Sequence, residues 1–142
     1  MATTFTADKV ASTVQSRAGD DITAVYSTYA ITAAFVINDV VQMCKVPAGA
    51  TILEVTLGVD ALDTSTGVVV AVGDGSTADR FITASTIGRS SANGIVRTNN
   101  RLGTNYLYTA EDTIDFKVTT AATGTASTSG NIDVTVIYTM QQ

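Results

Sequence analysis

The chain contains no histidine and no tryptophan, and only one cysteine and one proline among its 142 residues. Each shortage removes a class of function. A nucleophilic cysteine or serine is usually activated by an adjacent base, most often histidine, and none is present. Cys44 has no second cysteine to pair with, so no disulfide forms within the chain. It sits in "VVQMCKV", among apolar residues at strand-like spacing, and reads as a small buried hydrophobe. Charged residues are also scarce, at 15%, against the ~25% usual in soluble domains. Eight Lys and Arg against thirteen Asp and Glu leave a net charge of -5 with no basic run, which argues against nucleic-acid binding. No apolar run approaches the ~20 residues needed to span a bilayer, so no membrane association is expected. The opening "MATTFTADKV" lacks a cationic stretch followed by an apolar one and does not read as an export signal.

What is abundant is threonine, with alanine, valine, serine and glycine behind it. Threonine and valine are stiff at χ1 and favour pleated strands, while the good helix formers Leu, Lys and Glu are few. Residues 1–23, including "TADKVASTVQSRAGDD", are polar with few large anchors and read as an N-terminal arm. Three anchors, Phe5, Val10 and Val14, cannot offset the ordering of some twenty residues, each at roughly 1–2 kcal/mol of backbone entropy. The arm is therefore expected to need a surface outside its own domain.

Residues 24–142 read as one all-β domain. Period-two alternation starts near Ile22 and recurs in "VVQMCKV", "TILEVTLGVD", "RFITAST", "YLYTAEDTIDFKVTT" and "NIDVTVIYTM". Asn38-Asp39 and Pro47-Ala48-Gly49-Ala50 mark turns, and "VVVAVG" reads as a strand buried on both faces. Ile95–Arg97 is a weak strand within the polar stretch 88–105. About eight short strands with turns between them predict an antiparallel β-sandwich of jelly-roll type.

Chemistry is sparse. In "GDGSTAD", Asp74 and Asp79 flank a tight turn and could offer oxygens to a cation. The spacing does not fit a calcium loop, and the simpler reading is a turn in which Asp74 bonds backbone amides and Asp79 pairs with Arg80 or another surface cation. Asp60 and Asp63 could form a carboxylate pair, but a glycan-cleaving cleft needs facing carboxylates and aromatic platforms, so a solvated loop is the better reading. No catalytic, cofactor or metal-binding set is predicted, and no enzyme activity. Arg89, Arg97 and Arg101 lie in one polar stretch and could dock an acidic partner. With Phe5, Val10 and Val14 they form the candidate interface. The five tyrosines mark either a subunit contact or the edges of the sandwich, with their hydroxyls reaching solvent.

"VPAGATILEVTL", "VGDGSTADRFI" and "YTAEDTIDFKVTT" resemble segments of small acidic β-domains from the virions of tailed bacteriophages, the capsid decoration or cement proteins. The resemblance spans about residues 25–140 and carries no catalytic residues. It implies a homotrimeric structural protein, made in the host cytoplasm, that binds the major capsid protein on the outer head surface. Related β-domains serve in tails or head fibres, so a role in host-surface attachment is the alternative expectation.

Overall fold

A computed structural model of the chain describes residues 2–9, 22–90 and 94–140. Ten strands run in the order β1 (Thr4–Lys9), β2 (Ile22–Ala30), β3 (Val40–Val46), β4 (Ala50–Val59), β5 (Val69–Gly73), β6 (Ile82–Ser85), β7 (Ile95–Arg97), β8 (Tyr106–Leu107), β9 (Asp112–Thr120) and β10 (Asn131–Met140). The first sheet has the order β1-β3-β9-β5-β6 and the second β2-β10-β4-β7, with β8 also paired to β4. Consecutive strands lie in different sheets at β1 to β2, β2 to β3, β3 to β4, β4 to β5, β6 to β7, β8 to β9 and β9 to β10. This is the jelly-roll arrangement of two sheets, antiparallel except where β1 joins β3. Two strands exceed the expected eight: β1, and β8, which is separate from β9.

The core follows from alternation. Ile132, Val134, Val136 and Tyr138 of β10 are fully buried, as are Ile114 and Phe116 of β9. Each such side chain gains about 1.5–3 kcal/mol from leaving water. Alternation fails at bulges, two of which reset the core positions of long strands. In β4 the register with β10 jumps at Leu53, so Ile52 and Val55 both face the core although they are three residues apart. The expected phase, with Ile52 and Val55 on opposite faces, is corrected there. In β3 the register with β9 jumps at Met43, and Val41 and Cys44 both turn inward. One extra residue in a strand inverts the side-chain phase beyond it.

The corner at Pro47 is a turn closed by Ala50 N–H donating to the Pro47 carbonyl at 3.2 Å. Gly49 has a φ of 88°, which a side chain would resist. Cys44 is buried, and burial, with help from nearby Asp115, pushes its thiol up to about 12.

The segment 1–23 contains a strand seated on the first sheet. β1 runs parallel to β3, with Phe5 opposite Val41. Asp39 fixes its start by accepting from Thr3 N–H at 2.6 Å and from Val36 N–H at 2.8 Å. Residue 23, the expected end of the arm, lies within β2. Val10 and Val14 lie outside the described residues.

Candidate interaction surfaces

The Gly-rich turn after β5 is built around Asp74. Its Oδ1 accepts from the backbone of Ser76 and Thr77 at 3.0 and 2.8 Å and from the Ser76 hydroxyl at 2.9 Å. Its Oδ2 accepts from Arg80 Nε and from the Tyr108 hydroxyl, the latter at 2.8 Å. The Arg80 guanidinium also reaches the hydroxyls of Ser76 and Thr77 and lies 3.8 Å from the centre of the Tyr106 ring. Burial opposes the charge on Asp74, yet the donors from Arg80, Thr77, Tyr108 and Ser76 hold its carboxyl below the usual range. The expected pairing of Asp79 with Arg80 is corrected: Arg80 turns inward to Asp74, and Asp79 accepts from the Thr83 hydroxyl at 3.1 Å. The turn is a closed fastening whose oxygens are used within the chain.

Asp63 is also a fastening, which corrects the expected solvated loop at this position. It is buried and accepts five backbone N–H groups: Ser65, Gly67 and Val68 from its own loop, and Thr123 and Gly124 from the loop before β10. A side chain at Gly124 would collide with Thr64 and Asp63, so glycine is required for this approach. Burial alone would raise the Asp63 pKa; the amides of Ser65, Thr123, Gly124 and Val68 outweigh it and lower it to about 2. Asp60 is exposed and accepts from Asn131 N–H at 2.8 Å.

Asp115 has no such supply of donors. It faces away from the core on β9 but is covered, because the 74–80 turn folds closely over Gly73, its cross-strand neighbour. Its Oδ1 has no hydrogen-bond partner. Burial, reinforced by Asp112 and Asp74 and opposed by Thr113, pushes its carboxyl up to about 6. Among the described residues, no group of three or more His, Cys, Asp and Glu is placed to hold a metal ion.

The six candidate interface residues fall in different places. Phe5 is half-buried, with its ring 5.4 Å from Phe35 and 5.8 Å from Tyr29, centre to centre. Arg89 is half-buried, and its Nε donates to the Val68 carbonyl at 3.1 Å. Arg97 projects from β7, 3.7 Å from Glu54, and Arg101 is exposed on a short 3₁₀ turn, Arg101–Gly103. Sequence reasoning missed the exposed apolar residues of the same region. Ile95, Leu102 and Leu107 all reach solvent. Ile95 and Leu107 were hidden because an apolar residue in a short strand reads as core, and Leu102 because it is isolated in a polar stretch.

No family model matches the chain, and no curated protein does. Solved structures do. A chain in the capsid of Ralstonia phage GP4 superposes with a TM-score of 0.80 over 98% of this chain and 99% of that one, at 20% identity. A chain in the cyanophage Pam1 capsid asymmetric unit gives 0.73 over 92% of each, at 27% identity. A chain in the acid-stable capsid of Helicobacter pylori bacteriophage KHP30 gives 0.56 over 86% of this chain and 95% of that one, at 19% identity. This chain has the fold of chains found in phage capsids.

Proposed function

We propose that the protein is a structural component of a phage virion that binds the outer capsid surface and stabilises it, as a decoration or cement protein. The observation that carries this reading is the end-to-end likeness to a chain of a phage capsid structure, over 98% of one and 99% of the other. The use of buried polar groups agrees with it. Asp39, Asp63 and Asp74 all tie segments of the fold together, as a rigid adhesive module requires. The partner is the major capsid protein, and the protein itself is a homotrimer, since cyclic symmetry lets identical modules share a lattice axis. The docking edge is formed by Arg97, Arg101, Leu102 and Leu107, which combine exposed apolar area with guanidinium groups suited to carboxylates.

The test is co-sedimentation of the purified protein with expanded empty heads and, separately, with host cells. Saturable binding to heads, lost when Arg97 and Arg101 are both changed to Glu, is the expected result. Binding to cells but not to heads would replace this reading with host-surface attachment. Light scattering should give a mass three times 14.7 kDa; a monomer removes the trimer from the proposal.

A further inference from the structure

The outer face of the second sheet carries a notch. Strands β2, β10, β4 and β7 lie side by side, and their register places Tyr26, Thr135, Thr56 and Arg97 in one row. The next row places Thr28, Asp133, Gly58 and Ile95. Tyr26 on β2 and Ile95 on β7 stand up at the two sides, 57% and 72% exposed. Gly58 lies between them and adds no side chain to the floor. The result is a depression of about 390 Å³.

Its chemistry is specific. The Tyr26 hydroxyl donates to Asp133 Oδ1 at 2.9 Å, and the Thr28 hydroxyl donates to the same oxygen at 2.7 Å. The tyrosine is therefore tethered through its hydroxyl while more than half of the residue stays open to water. Among the described residues, Asp133 Oδ2 receives no hydrogen bond and remains an acceptor. Thr56 and Thr135 line the same hollow, and the Thr56 hydroxyl, donating to Glu54 at 3.1 Å, keeps its acceptor capacity. Glu54, Asp60 and Asp133 make this face acidic, and the one cation of these rows, Arg97, is turned to Glu54. Phosphates, nucleic acids and acidic sugars are disfavoured by that charge.

An apolar side chain entering the notch would strip water from Asp133 without supplying a donor. A neutral ring rich in hydroxyls does both jobs at once. Its C–H face lies against the electron-rich face of tyrosine, and its hydroxyls donate to a carboxylate and exchange hydrogen bonds with threonines. We infer that the Tyr26–Gly58–Asp133 notch is a binding site for a neutral saccharide. The notch adjoins the proposed docking edge through β7, which carries both Ile95 and Arg97, but its binding is read on the isolated protein, so its failure and the failure of the capsid reading are told apart.

The test is an amide chemical-shift titration of the labelled protein with methyl α-glucoside, methyl α-galactoside and N-acetylglucosamine, taken to tens of millimolar. At least one probe should give saturable shifts confined to residues around Tyr26, Gly58, Ile95 and Asp133. Tyr26→Ala should weaken binding about tenfold, a change of one decade in Kd. Gly58→Val fills the floor, and its Cβ has room, with Asp133 Cβ the nearest atom at 3.9 Å. That variant should keep the rest of the spectrum and lose the shifts. The inference is overturned if none of the three probes produces shifts, or if the shifts survive in Gly58→Val. It is also overturned if methylguanidinium moves these amides and the sugars do not, since the notch then serves a cationic protein side chain.

Discussion

Between the loops 60–68 and 121–126, Asp63 receives five backbone amides; on the outer face of the first sheet, Asp115 keeps an oxygen with no partner. Both side chains are shielded from water, at 1% and 8% exposure. One carboxyl is held at about 2 and the other is pushed up to about 6. Burial raises both, so the difference lies in the supply of donors. The loop region offers free N–H groups because its backbone is not in a sheet. The sheet region has already spent its N–H groups on the ladder between β3, β9 and β5. A carboxylate over a sheet therefore has little to bind, whereas one among loops can organise them.

Removing the better-served group should do the most harm. Asp63→Ala leaves five amides without their acceptor and should give the largest fall in melting temperature of any single substitution described here. If it melts no lower than Arg80→Met, the view of Asp63 as the organiser of two loops fails. Arg80→Met, the second in size, strands the buried Asp74 carboxylate. It should lose about 2–3 kcal/mol in urea unfolding, below the value for a fully enclosed pair because the edge of this network meets water.

The third expectation is a pH effect of opposite sign in the two regions. Asp115 has its folded pKa above its unfolded one, so its ionisation destabilises the fold. Stability is regained as the pH falls through about 6 and is complete near the unfolded value of about 4. Asp63 has its folded pKa below the unfolded one, so its contribution persists down to about pH 4 and is lost as the pH falls towards about 2. Stability should therefore peak near pH 4–5. Asp115→Asn should gain about 1–2 kcal/mol at pH 7, allowing for residual screening by water, and should flatten the curve between pH 7 and 5. A wild type that weakens steadily from pH 7 to 5 would show that Asp115 finds a donor in solution. The smallest effect is at the surface. Glu54→Gln removes the partner of exposed Arg97 and should change stability by less than about 0.5 kcal/mol.

The sandwich was legible because its signals are local. Strand alternation in β9 and β10, the buried run of β5, the turn at Pro47 and the weak strand Ile95–Arg97 can all be read from neighbouring residues. What could not be read depends on partners far away in sequence. Asp63 meets Thr123 and Gly124 some sixty residues on, and Asp74 meets Tyr108 across thirty-four. Each looks like an ordinary turn aspartate until the fold brings its donors. The bulges at Met43 and Leu53 are silent for a similar reason: an extra residue shows only against the strand it pairs with. The notch at Gly58 needed four strands in register before its walls and floor came together.

β10 lies inside the second sheet, between β2 and β4, although it comes last of the described strands. Its neighbour β2 is separated from it by about a hundred residues, with Ile22 opposite Thr139. A ribosome releasing this chain exposes β2 and β4 well before the strand that joins them. Both then carry open edges, and neither sheet face has its full complement. Folding to the sandwich must wait until residue 140 or so has left the exit tunnel, and the long loops it closes place it among slow, non-local folders. In that interval the unfinished sheet edges are open to pairing with other nascent chains, so temperature and chaperone supply during synthesis should govern yield more than the stability of the finished protein does.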